Sequence, residues 1–315
     1  MIITDFLMMN QSTDAIVRAI ESLRPTADYV KDYIFPVTLA FGSALLGGLS
    51  AVYINKKQDQ QKVTRDNLVT SIELVALAQD CLSSLVSIKA NYLNIDSDDP
   101  LTRARNFPTI ISTFEEVKFS TGSLYFIRPI PTENKKILES IIWITKHRIL
   151  RMKVKIPPAE KLRRTWRNSV RIGAMFGNYN QVMGLLAYRN RVNEEVKEIV
   201  SSHKDGIKPD DAQGILGDKL CGGYVDITQS CVSLIDHLII EFHHFLLEFP
   251  SIATSNIKLS RVREWGGVPS YENKQEAYLN CLKPIIKPDY SKFFPYTGMS
   301  KEQAEKHYTF GSWFD

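Results

Sequence analysis

The longest uninterrupted apolar stretch of the chain lies near its N-terminus. Residues 33–55, YIFPVTLAFGSALLGGLSAVYIN, carry no charge. A helix of that length reaches roughly 34 Å, enough to cross a hydrocarbon core of about 30 Å. Lys31 and Asp32 bound the stretch on one side, and Asn55, Lys56 and Lys57 on the other. Tyr33 and Tyr53 stand where interfacial aromatics are expected. Pro36 falls in the first turn, where its missing N–H costs little. The pattern predicts one transmembrane helix over 33–55.

Neither Gly nor Pro occurs from Leu49 to Asp99. Helix breakers are therefore absent across the end of the apolar stretch, and a nearly continuous helix is expected out to about Leu93. One apolar row runs Leu68, Ile72, Val75, Leu82 and Val86. A second runs Leu74, Ala78, Cys81, Leu85, Ile88 and Tyr92. Two rows imply burial over much of the circumference. The acids of DSDDP at 96–100 lack the Gly and distal Glu of an EF-hand loop, so they read as a polar turn.

Helical periodicity recurs over 106–119, 133–152, 158–176, 180–202 and 224–249, the last ended by Pro250. GNYN at 177–180 reads as a break, SLYFI at 123–127 as a short extended piece, and HKDGIKPDDAQG at 203–214 as a loop. Ser300 and Gln303 form a capping box that opens a final short helix. Ile16, Val17, Ile20 and Leu23 give 13–24 an amphipathic helical face. The expected architecture is all-α: a single N-terminal transmembrane helix continuing into a helical-bundle-like soluble domain. Its parts are a leader (1–32), the span (33–55), a helical domain (56–250) and an irregular, aromatic-rich extension packed on that domain (251–315).

Composition narrows the classes. With 315 residues, 44% hydrophobic and 23% charged, the chain is neither collagen-like nor disordered. Cys81, Cys221, Cys231 and Cys281 show no CxxC or zinc-finger spacing and read as separate thiols. Walker A, GxGxxG, GxSxG and HExxH motifs are absent, as is the strand–helix alternation of a nucleotide fold. No cofactor is expected, and catalysis is the less favoured reading.

Three constellations carry candidate chemistry. Within the span, Ala40, Ala44 and Gly48 form one row of small residues, and Ser43, Gly47 and Ala51 its neighbour. Small residues let membrane helices approach closely, so self-association through this face is expected. On the helix 224–249, His237, Glu241, His244 and Glu248 share one side. Glu241 and His244 have the E-x-x-H spacing of bundle-core di-iron sites, but such sites need a second E-x-x-H, which this chain lacks. These four are weak metal candidates, and no metal is expected there. The third constellation is a block of ten bases with one acid, Glu160, between 146 and 171. The bases are Lys146, Arg148, Arg151, Lys153, Lys155, Lys161, Arg163, Arg164, Arg167 and Arg171. The block sums to +9 in a chain of net charge +4. Such a concentration predicts an anionic partner: acidic lipid, nucleic acid, a nucleotide or an acidic protein.

Flanking charge sets the expected orientation. Arg18, Arg24 and Lys31 precede the span, whereas Lys56, Lys57, Lys62 and Arg65 follow it. The bias favours a cytoplasmic C-terminal domain, as do unpaired thiols. The leading expectation is a single-pass, membrane-anchored, non-catalytic adaptor or sensor that engages its partner through 146–171. The alternatives are a membrane-perturbing effector whose soluble domain controls assembly of the span, and an enzyme with an unfamiliar site.

Overall fold

The apolar stretch and most of the Gly- and Pro-free run after it form one helix, α2 (Phe35–Ala90), in the computed structural model, which describes residues 14–22, 34–110, 115–128, 162–203 and 209–310. The preceding helix α1, residues 14–22, is exposed along its length. Asn91 ends α2 by donating its side-chain amide to Ser87 O at 2.7 Å, which satisfies a terminal carbonyl. The chain falls into two compact units, Met1–Lys62 and Val63–Asp315. In the first, α2 exposes its apolar residues: Val37, Phe41, Leu46, Leu49 and Val52 are each more than 60% accessible. In the second, the buried positions Thr64, Leu68, Ser71, Val75, Ala78, Leu82, Leu85 and Lys89 alternate at spacings of four and three, the signature of a helix seated along one seam.

The remaining long helices are α4 (Ser169–Ser202) and α6 (Asp218–Asn256), with the short α3 (Pro100–Asn106) and α5 (Pro209–Leu216) beside them. Asp99 caps α3 by accepting from Thr102 N at 2.7 Å, with Pro100 in the first turn. Among the described residues no strand occurs, so the chain is all-α there. One core joins Leu74, Leu85, Phe176, Leu186, Leu238 and Phe249 from α2, α4 and α6. Phe242 receives Phe176 and Tyr179 edge-on, with ring centroids 5.5 and 6.1 Å away. A second core joins Leu101, Val196, Tyr224, Phe293 and Tyr308. The C-terminal part of the chain adds α7 (Glu276–Leu282), α8 (Phe294–Thr297) and α9 (Lys301–Tyr308). Ser300 and Gln303 make the expected reciprocal capping box at α9.

Several expected elements differ. GNYN does not break the chain, because α4 runs through it without interruption. Asn180 of that motif instead holds the backbone of a neighbouring segment. It accepts from Val117 N at 3.0 Å and donates to Val117 O at 2.9 Å. Asn190, about three turns on, does the same for Ile110, at 3.3 and 2.7 Å. The stretches 107–110 and 115–120 are therefore non-helical, their peptide groups paired with side chains instead of with one another. SLYFI lies in a 3-10 helix (Thr121–Ile127) instead of an extended piece. The expected loop 203–214 contains the start of α5, and α6 begins earlier and continues past Pro250 to Asn256. A proline removes one helical hydrogen bond, and the buried Phe245, Leu246, Phe249 and Ala253 on either side outweigh that loss. The helix expected over 133–152 lies outside the described residues.

Buried Arg189 closes the second core. Its guanidinium donates to Ala104 O at 2.8 Å, Phe107 O at 2.7 Å and Pro108 O at 3.0 Å. These carbonyls cluster where α3 ends, so one side chain satisfies groups that the helix leaves unpaired.

Candidate functional site

The helix α6 carries several of the polar groups of the interior, among them Thr228, Gln229 and Glu241. Glu241, from the His/Glu stripe, is buried and accepts from Arg171 Nη2 at 2.9 Å. Arg171, from the basic block, is only 4% exposed and lies over the Trp166 ring, 3.7 Å from its centroid. It also donates to Arg164 O. Two residues assigned by sequence to different sites thus form one buried pair. The helix expected over 158–176 is interrupted: residues 162–163 are helical, 164–167 turn, and a new helix begins at Ser169, capped by Asn168. Arg163, Arg164 and Arg167 therefore precede the helix that bears Arg171 and do not share its face. Arg171 is corrected from a surface anion ligand to an interior ion-pair partner.

The other members of the block divide plainly. Lys146, Arg148, Arg151, Lys153, Lys155 and Lys161 lie outside the described residues. Arg163 and Arg164 are exposed. Arg167 is half-buried and donates to Ile127 O at 3.0 Å. In the stripe, His237 is half-buried with its ring 5.6 Å from that of Phe310, and Glu248 is exposed. His244 sits beside His243, whose Nδ1 lies 2.7 Å from the Tyr278 hydroxyl. Among the described residues no three His, Cys, Asp or Glu side chains are grouped to hold a metal ion.

In the apolar part of α2, Ala40, Ser43, Ala44, Gly47, Gly48 and Ala51 are all exposed. A Cβ at Gly47 or Gly48 would meet nothing within 4 Å. Thr38 Oγ1 donates to Ile34 O at 2.6 Å and Ser43 Oγ to Ala40 O at 2.9 Å. Both hydroxyls are thereby satisfied inside their own helix.

A cavity of about 300 Å³ opens beside α6. Its floor is one face of that helix, including Gln229, Asp236, His237 and Glu241. Asp236 holds the opposite wall in place. It pairs with buried Lys89 at 2.6 Å and accepts from Ile285 N at 2.9 Å, which pins the extended segment 284–289. Lys89 also donates to Lys283 O at 2.6 Å. A third wall comes from Tyr290, Tyr308 and Phe310, with Tyr308 donating to Asp226 on α6 at 2.7 Å. Arg103 reaches the cavity from α3. Burial raises the Asp236 carboxyl above its ordinary value, opposed by Lys89. Burial likewise holds His237 below its ordinary value, opposed by Glu241.

Sequence reading did not single out Arg103, Lys89 or Asp236. Asp236 precedes His237 on the same helix, and Lys89 ends an otherwise apolar row. A charged residue at a position that the periodicity assigns to the interior was the available signal. No protein-family model matches the chain, and neither does any curated protein or solved structure.

Proposed function

We propose that the chain is a single-pass, membrane-anchored helical protein that acts without catalysis, as an adaptor or sensor for an anionic partner. The observation that carries this reading is the bare apolar half of α2. None of its most apolar 18-residue window is buried. Exposed rows of Leu, Val and Phe of this extent are costly in water and favourable in hydrocarbon. The internal satisfaction of Thr38 and Ser43 suits a lipid environment, where polar groups find no water. Continuity of α2 past Lys56 and Lys57 to Ala90 favours a retained anchor over a cleaved signal.

The basic segment 146–171 supplies the partner surface, with Arg163 and Arg164 exposed at its end. The C-terminal unit faces the cytoplasm in this reading, in keeping with four buried, unpaired thiols. The experiment is carbonate extraction of membranes at high pH, combined with the intact mass of the protein and a reporter fused after Asp315. Retention in the pellet at full mass with cytoplasmic reporter activity is expected. Release by carbonate, or loss of the first 55 residues from the mature chain, overturns the anchor.

A further inference from the structure

The cavity beside α6 has an unbalanced charge. Two carboxylates face it, and each is committed: Asp236 to Lys89 and Glu241 to Arg171. Arg103 is different. It is 3% exposed, and its Nη1 donates to Ser97 O at 3.1 Å. Its buried Nε has no hydrogen-bond partner, and among the described residues no carboxylate lies within 4 Å of its guanidinium. A buried guanidinium without a carboxylate in contact is destabilising, and more distant Asp236 only partly offsets that. Fold stability alone does not require it, since the Ser97 carbonyl needs only a neutral donor.

We propose that this cavity binds a small monoanion with an apolar body, an aromatic or branched aliphatic carboxylate, and that Arg103 holds the carboxylate. The guanidinium is a planar fork suited to that group, and its buried Nε lacks a partner. A single charge suits the buried end of the cavity. The two ion pairs cancel, which leaves Arg103 as the buried cation, with Lys287 on the exposed wall segment, and Asp236 and Glu241 repel a dianion. Burial lowers the Arg103 guanidinium, with Tyr290, Asp236 and Tyr92 opposing, so a bound anion relieves an existing penalty.

The apolar body follows from the walls. Val232, Ile240, Leu282, Pro284, Ile286 and Phe310 make most of the lining apolar, with Ser233, His237, Lys287 and Thr309 among the polar exceptions. About 300 Å³ is the lower end of ligand cavities, which sets the ligand at the scale of a substituted benzoate. The site lies wholly within the unit Val63–Asp315 and stands independently of the apolar helix.

The test uses full-length protein in a non-ionic detergent. Thermal unfolding and saturation-transfer NMR are recorded with phenylacetate, 3-phenylpropionate and isovalerate, with their neutral amides, and with inorganic phosphate. The acids are expected to raise the melting temperature and to show saturation transfer, and the amides and phosphate to do neither at the same concentration. Arg103→Gln is expected to weaken the acids by about ten- to hundredfold. Phe310→Ser, at a wall residue 39% exposed, is expected to weaken phenylpropionate more than isovalerate while sparing the fold. Should Arg103→Gln not fold, the acid-to-amide ratio and the Phe310→Ser variant decide. The proposal fails if no acid binds at millimolar concentration, if amides bind as well as acids, or if a folded Arg103→Gln protein binds unchanged.

Discussion

Among the described residues two helices are long and apolar enough to cross a membrane, and they meet opposite fates. The window in α6 is 56% buried within the molecule, whereas that in α2 is 0% buried. The difference lies in what interrupts the apolar residues. On α6, Gln229, Ser233, Asp236, His237 and Glu241 recur on one face, and the interior answers them with Lys89, Arg171 and the Ile285 peptide. On α2, residues 35–52 carry no charge or amide side chain, and the hydroxyls of Thr38 and Ser43 are satisfied by their own helix. Apolar content alone does not separate a core helix from an exposed one. Buried charge with a matching partner does, because only a folded interior supplies that partner.

The sharpest way to break this comparison is to place one cation on each helix. Leu238→Arg, at a fully buried position, should prevent folding, a loss of more than about 4 kcal/mol. Leu46→Arg, at a position 68% exposed, should leave the thermal transition intact while weakening insertion by about 3 kcal/mol. Circular dichroism and membrane fractionation read the two effects separately. Equal damage to folding would show that α2 residues 35–55 belong to the core.

A smaller effect is expected at the buried pair. Arg171→Met or Glu241→Leu should each cost about 3–5 kcal/mol, because one charge is left without its partner. The double change Arg171→Met, Glu241→Leu should recover much of that loss. Denaturant unfolding of the four proteins forms the cycle, and additive losses would mean that the two side chains do not depend on each other.

The glycines give the mildest contrast. At Gly222 of α6, a Cβ collides with the Tyr296 carbonyl, so Gly222→Ala should cost about 1–3 kcal/mol of stability. Gly47 of α2 is open, so Gly47→Leu should not change the melting temperature. It should instead lower crosslinking between chains in membranes, by about 1 kcal/mol of association. Unchanged crosslinking would remove the small-residue face as a contact.

Much of the helical framework is legible from local pattern. The length of α2, the end of its buried rows near residue 90 and the capping box at Ser300 depend on neighbours within a few turns. The stretches 107–110 and 115–120 were not legible in the same way. Their apolar spacing suits a helix, but Asn180 and Asn190 pair with their peptide groups from more than sixty residues away. Polar side chains that replace a helix's own hydrogen bonds leave no periodic trace. The basic block was misread at Arg171 for a related reason: charge density says that anions are attracted, but not which cation turns inward to meet an acid on another helix.

By itself, the sequence determined the all-α class, the uncharged stretch 33–55 and the breaker-free helix that carries it, because each depends on composition or on contacts within one helix. Tertiary structure alone decided that Arg171 meets Glu241, that Lys89 meets Asp236 and that Arg103 faces a cavity with no carboxylate of its own. The two pairs join elements far apart in the chain, and the carboxylates that face the Arg103 cavity, Asp236 and Glu241, are the ones they engage. These contacts are set by how the faces of α2, α3, α4 and α6 pack, and a charge at a buried position is compatible with several partners until that packing chooses one.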